Sequence, residues 1–367
     1  MIAAIIICLL VFFLWTIINS MFLPSLPKEA KLNAYPLISV LVPMRNEMRN
    51  AQAFIHNIQQ LTYPNMEVIV LDDQSTDHTK SILYKSIGLD RRFRMISGKP
   101  LPDGWVGKVH ACDQLQKLAN GDYLLFIDAD VRLQPQTIEK SLMLLQTKRA
   151  KLLSGFPAFE VPTLLSKLLV PMQHFVVMLH LPIALANWTI TPATTAVNGA
   201  FMFFEHAAYR KMGTHRAVHS SLVEDVHIAR KMKEQGYRVL LANITKNVSC
   251  RMYATNGETW EGFLKNIFVG VGRSIPIVIF LTIFYSVFYI LPMFLLVYGV
   301  FTFQPFYVLP YVILTLQKAF VDWKSNQQLY ISCLMPLSAT ALVAVLWGST
   351  WKAWKKQPYN WKGRNYL

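Results

Sequence analysis

The sequence predicts an α/β chain, a mostly parallel sheet covered by helices and held to a membrane by apolar helices at both ends. Three observations carry this. Between residues 36 and 255, short apolar runs alternate with helical stretches, the β-α-β pattern of a parallel sheet with both faces covered. One such run, YLLFI at 123–127, is followed at once by Asp128-Ala129-Asp130. Residues 2–22 and 274–301 are nearly all apolar and long enough for a bilayer, which takes about 20 residues.

Composition supports the membrane. Of 367 residues 53% are hydrophobic and only 16% are charged, against roughly 25% charged in soluble domains. The net charge of +15 suits an anionic membrane face or a phosphate-bearing ligand. No RNA-binding signature or zinc-finger spacing is present, so nucleic acid is not an expected partner. Cys8, Cys112, Cys250 and Cys333 are scattered without a CxxC pair, which suits a reducing cytosol rather than a disulfide framework.

Taken in order, residues 1–23 form an anchor. No Lys or Arg precedes Lys28, so a cleaved signal peptide is disfavoured. Lys28 and Lys31 then place the next segment in the cytoplasm. Strands are expected at 37–42, 68–71, 94–96 and 123–127, and later at 198–204, 237–242 and 248–253. Helices are expected at 51–61, within 105–118 and at 221–235. Residues 161–188 are apolar but broken by Pro162, Pro171 and Pro182, which fits interfacial helices better than a span. Residues 274–349 form a membrane region, and 350–367 a basic cytoplasmic tail. An even number of crossings there favours spans at 274–301 and 330–347, with 306–316 interfacial or re-entrant.

The chemistry gathers at the carboxyl ends of the strands, where open α/β sheets bind ligands. Asp128 and Asp130 sit two apart on an extended segment and point the same way. They can share one hard cation, Mg²⁺ or Mn²⁺, with a phosphate completing its shell. Pro43, Arg45 and Glu47 end the first strand, and Asp72 and Asp73 the second. Carboxylates there can accept from a nucleobase N–H or ribose hydroxyls. Asp77 reads as a helix cap. Lys108, after Gly107, is a candidate cation for a diphosphate. Ser221 and Glu224 fit a capping box. Asp225, in the first turn of that helix, is left as a candidate general base. Neither a Walker A loop nor a dinucleotide-binding glycine pattern fits.

The set PMRNE, DDQSTD, FIDAD, NGAFMFF and VEDVHIARKMKEQGYRV, in this order, resembles the family 2 glycosyltransferases. The resemblance covers roughly residues 38–253. It implies the GT-A nucleotide-sugar-binding fold, an inverting hexosyltransferase and a UDP-hexose donor. Asp73 would contact the nucleoside, Asp128 and Asp130 would hold donor and metal, and Asp225 would be the base, with Lys108 and Arg251 near the leaving diphosphate. The family's QxxRW motif is absent, which favours transfer of one sugar over polymer growth. WVGKVHAC, RMY at 251–253 and the tail WKGRNY are similar to membrane-bound diaponeurosporenoate glucosyltransferases and hopanoid-associated glycosyltransferases. That likeness implies a terpenoid lipid acceptor. Glycerolipid, ceramide-like and polyprenyl-phosphate acceptors are the alternatives, and a nucleotide-sugar-binding scaffold without turnover is the non-enzyme one.

Overall fold

The computed structural model describes residues 2–357 and 359–366. At its centre lie three parallel strands, Ile38–Met44 (β1), Met66–Asp72 (β2) and Tyr123–Ile127 (β4). β1 takes β2 on one side and β4 on the other. Phe93–Ser97 (β3) extends the parallel edge beyond β2. Helices Ala51–Gln59 (α2), Thr79–Ile87 (α3) and Gly107–Gln116 (α4) make the crossovers.

Alternation along the strands builds two cores. Val40 and Val42 pack with Phe54, Ile58 and Leu83 of α2 and α3. Leu41 points the other way, to Val109 and Leu115 of α4. Buried Ser39 breaks the apolar pattern, but its hydroxyl donates to Glu67 at 2.5 Å and accepts from the Gly121 N–H at 2.9 Å.

Beyond β4 the sheet turns mixed. After Val131–Leu133 (β5) and Thr137–Thr147 (α5) come Leu152–Ser154 (β6) and Ala158–Phe159 (β7). Leu164–Leu169 (α6), Met172–His180 (α7) and Ile183–Trp188 (α8) follow as three short helices. Phe201–Glu205 (β8) then runs antiparallel between β4 and β6. His206–Lys211 (α9), Glu224–Glu234 (α10), Val239–Leu241 (β9) and Val248–Cys250 (β10) complete the catalytic region. The seven-stranded order is β3-β2-β1-β4-β8-β6-β9. β6, β7, β9 and β10 have three residues or fewer, too short to leave a periodic signal.

The remaining helices are Ile2–Ser20 (α1), Asn256–Gly270 (α11), Ile275–Tyr285 (α12), Leu291–Phe301 (α13), Leu309–Lys324 (α14) and Met335–Trp354 (α15). A π-helical turn at Ser286–Ile290 joins α12 to α13. Among the described residues three segments are long and apolar enough to cross a membrane, Ile2–Ser20, Ile275–Phe301 and Leu329–Trp354. The first two are 22% buried and the third 50%, so α15 is the most enclosed by protein. Its ends both touch the catalytic region. Ile331, just before it, packs in the core beneath β1, and Lys352 in its last turn pairs with Glu261 of α11 at 3.0 Å. α14, which overlaps the 306–316 segment expected to be interfacial or re-entrant, packs alongside α1. Gln317 donates to Thr16 at 2.9 Å, and the Lys324 carbonyl accepts from Asn243 at 2.8 Å. Its Gln317, Lys318 and Asp322 are all buried. The chain ends in a hairpin of Tyr359–Trp361 (β11) and Arg364–Tyr366 (β12).

Lys318 pairs with Asp322 one turn on, and Ser332 donates to the same carboxylate at 2.8 Å. Removing one partner of such a buried pair strands a charge. Asp322→Ala is expected to lower stability by about 3–5 kcal/mol, and Lys318→Met with Asp322→Leu to recover most of it. Unfolding in detergent checks this; equal losses in single and double variants would show the pair is not coupled.

Candidate active site

The carboxyl ends of β1, β2 and β4 open onto one cleft of 1410 Å³. Pro43, Arg45, Glu47, Asp73, Lys108, Asp128, Asp130, Asp225 and Arg251 all line it. Parallel pairing explains why residues so far apart in sequence meet: β1 and β2 end level, Met44 opposite Asp72.

A lysine ammonium is the hub. Lys108, in the first turn of α4, reaches Asp128 with Nζ at 2.8 Å from Oδ1 and 2.9 Å from Oδ2. The same Nζ lies 3.4 Å from Glu224 Oε1. Burial pulls this ammonium down, but Asp128 and Glu224 outweigh it and hold it well above the usual lysine range. Next to Glu224, Asp225 accepts the Gly199 N–H at 2.9 Å and the Val226 N–H at 2.8 Å. Gly199 also turns its carbonyl toward Lys108 Nζ, 3.5 Å away. Asp225 and Lys108 therefore both meet Gly199, one at its N–H and the other toward its carbonyl. A Cβ on Gly199 would come within 3.3 Å of Asp225 and 3.4 Å of Lys108, so only a glycine lets both groups close in without displacement.

Burial, then Glu224, pushes the Asp225 carboxyl up to about 6, against the two backbone N–H groups and Lys108. Burial, then Asp128 and Glu47, raises Asp130 to about 7. Oδ1 of Asp130 is buried and has no hydrogen-bond partner among the described residues. A buried carboxylate oxygen in that state calls for a proton or a cation.

Several residues differ from their sequence reading. Asp72 is buried and does not line the cleft. Gln74 at φ +57 reverses the chain, and Asp72 Oδ1 accepts the Ser75 N–H at 3.4 Å within that turn. Glu224 forms no capping box. α10 starts at Glu224 rather than Ser221. The Ser221 hydroxyl is engaged by the Val223 N–H at 3.2 Å and by His227 at 2.7 Å, which leaves Glu224 for Lys108. Arg45 braces the backbone, donating to the carbonyls of Asp73 at 2.6 Å and Gln74 at 2.9 Å. Arg251 donates its backbone N–H to the Asp130 carbonyl at 3.2 Å while its side chain stays exposed. Asp77 is not the cap of α3: it precedes the N-cap His78, accepts from the Thr79 N–H at 2.9 Å and lines the cleft.

Four residues escaped the sequence reading: Glu224, Lys265, Lys362 and Arg364. Lys265 lines the cleft from α11, where burial lowers its ammonium against the pull of Glu224. Lys362 pairs with Glu47, and Arg364 grips Asp73 at 2.5 and 3.1 Å. Away from the carboxylates the cleft becomes apolar, lined by Met172, Val176, Phe263, Leu281, Val343 and Leu346. These come from α7, α11, α12 and α15, the helices of the third core.

Comparison with known proteins agrees with this geometry. Residues 39–180 match the model of glycosyl transferase family 2, a range that holds β1, β2 and β4 with their carboxylates. A 4,4'-diaponeurosporenoate glycosyltransferase of Staphylococcus haemolyticus is 23% identical over 73% of this chain and 71% of its own length. The protein of that name from Staphylococcus aureus is 24% identical over 65% of this chain and 63% of its own. A mannosyltransferase of Pyrobaculum calidifontis, solved with GDP-Man and Mn²⁺, shares the fold across 97% of this chain and 100% of its own, with TM-score 0.57 and 17% identity. The sheet order is that of the GT-A fold, and the chain is a glycosyltransferase whose residues 39–180 match the family 2 model.

Proposed function

We propose that this protein transfers one hexose, glucose from UDP-glucose, to a terpenoid lipid of the diaponeurosporenoate type at the cytoplasmic face of the cell membrane. One observation supports it most: a single cleft runs from the carboxylate cluster to apolar side chains of α12 and α15. A soluble acceptor needs no such apolar arm, whereas a long isoprenoid chain can lie in it and present its polar end to the carboxylates. The Staphylococcus relatives carry a name of this acceptor class. Lys28 and Lys31 after α1 support the cytoplasmic side.

Asp73, Asp128 and Asp130 would face the donor. Asp128 and Asp130 would hold Mg²⁺ or Mn²⁺, and the orphaned Asp130 oxygen fits that role. Among the described residues no group of three or more His, Cys, Asp or Glu could hold a metal ion, so donor phosphate oxygens would complete the shell. A bound cation supplies neutralisation of the leaving diphosphate. The protein's own share is positional. Lys108 holds Asp128 through its ion pair, Gly199 aims Asp225, and α11 closes the acceptor side. Asp225, raised to about 6, is ionised near neutral pH and still basic enough to take a hydroxyl proton.

That last property favours a second reading, a hydroxylated lipid acceptor. A carotenoid carboxylic acid, with a pKa around 4 to 5, arrives ionised and can attack the anomeric carbon unaided.

Incubation of the purified enzyme with labelled UDP-glucose and either a carotenoid acid or a hydroxylated hopanoid tests the acceptor. Label is expected in the carotenoid ester; label only in a glycerolipid or ceramide would overturn the terpenoid assignment. With a hydroxylated acceptor, the rate is expected to fall about tenfold per pH unit below pH 6, as the Asp225 carboxylate takes up its proton. Asp225→Asn should abolish that transfer while UDP-glucose binding persists, and wild-type-like transfer would remove the base. Val343→Trp, which fills the apolar arm, should raise KM for the lipid about tenfold at unchanged donor affinity. An unaltered KM would mean the lipid lies elsewhere.

A further inference from the structure

The C-terminal hairpin closes over the cleft where its most distant carboxylates lie. Its turn is Lys362-Gly363, with φ of +47 and +80, flanked by the pair Trp361 and Arg364. Two successive positive φ values are the mark of a tight I′ hairpin turn. Contacts from its described residues pin it to the α/β region. Arg364 forks onto Asp73 at 2.5 and 3.1 Å. Lys362 Nζ pairs with Glu47. The Lys362 carbonyl accepts from Arg45 Nε at 3.0 Å. Lys362 lines the same cleft as Asp128 and Asp130, and its charge is felt at Asp130.

Charge in this region is lopsided. Glu47, Asp73, Asp128 and Asp130 crowd the donor end. Of the cations on the catalytic region, Lys108 is held between Asp128 and Glu224 and Arg45 is spent on backbone carbonyls. A nucleoside diphosphate entering here adds further negative charge and needs cations aimed at it. Lys362 and Arg364 stand at that place, half-buried and already bonded to carboxylates. A lone two-stranded hairpin is marginal by itself, so its seat depends on these ion pairs and can adjust when they are exchanged.

We propose that the hairpin is part of the donor site, and that Lys362 and Arg364 pass from Glu47 and Asp73 to the diphosphate of a nucleoside-diphosphate sugar. Arg364 releases Asp73 to the nucleoside and forks onto phosphate oxygens. Lys362 follows as a point charge. The inference rests on the donor reading above and extends it by two binding residues from the far end of the chain.

Isothermal titration of the full-length protein with UDP and with uridine, in Mn²⁺, tests it. Arg364→Ala and Lys362→Ala should each weaken UDP binding about tenfold without weakening uridine binding. Arg364→Lys should fall between, because it keeps the charge and loses the fork. In the wild type, UDP should slow backbone hydrogen exchange across 359–366. Unchanged or tighter UDP binding in Arg364→Ala, or faster exchange with UDP, would overturn the proposal and make the hairpin a brace or a latch that the donor expels. A wild-type protein that binds neither UDP nor GDP would instead sink the donor reading itself.

Discussion

Everything in the site depends on one ammonium placed among carboxylates. Asp128, Glu224 and Asp225 come from β4 and α10, and all are drawn into a half-buried space. At an effective dielectric near 20, two like charges about 4 Å apart repel by about 4 kcal/mol. Lys108 sits between two of them at 2.8 and 3.4 Å and turns that repulsion into attraction. Without it, the Asp128 and Glu224 carboxylates would face each other with no cation between them. The lysine belongs to α4, whose packing against Leu41 fixes its base. The electrostatics of the cleft are thus anchored in the hydrophobic core below it.

The apolar half of the cleft follows a different rule. Its walls are helices that belong to the third core, and contact between charge and hydrocarbon occurs at a few points. His180 at the end of α7 bonds to the Tyr285 hydroxyl at 3.0 Å. Both residues line the cleft. Lys265 of α11 lines the same cleft, as do Phe263 and Ile267. A ligand with one polar end and a long apolar body matches this gradient, and a ligand polar throughout does not.

Much of this was legible in the sequence because it is local. The apolar runs of β1, β2 and β4 announce buried strands, and carboxylates placed just after them must fall on one rim of a parallel sheet. Asp225 could be named because its neighbour Glu224 had an apparent structural role. One step of that reasoning does not hold. Glu224 is no cap, and its tie to Lys108 joins residues more than a hundred positions apart. Asp72 is tied into the turn that Gln74 makes with a positive φ, and periodicity does not report such a reversal. The hairpin was not read from the sequence, where 350–367 stands only as a basic tail. Nor was its destination, because Arg364 meets a carboxylate 291 residues earlier in the chain.

That long connection is made by α15, which gives the helix a place in both halves of the cleft. Leu342, Val343 and Leu346 on one of its faces line the apolar arm. Lys352 ties its last turn to α11, and the hairpin comes within a few residues of it. Ser349 donates to the Leu264 carbonyl, and Gly348 lets Leu264 and Trp260 of α11 approach where a Cβ would stand 2.9 Å from the leucine. α11 and α15 therefore pack closely against each other. On the acceptor and donor sites proposed above, a lipid against α15 and a donor under the hairpin would meet neighbouring parts of one support, because the hairpin follows α15 in the chain.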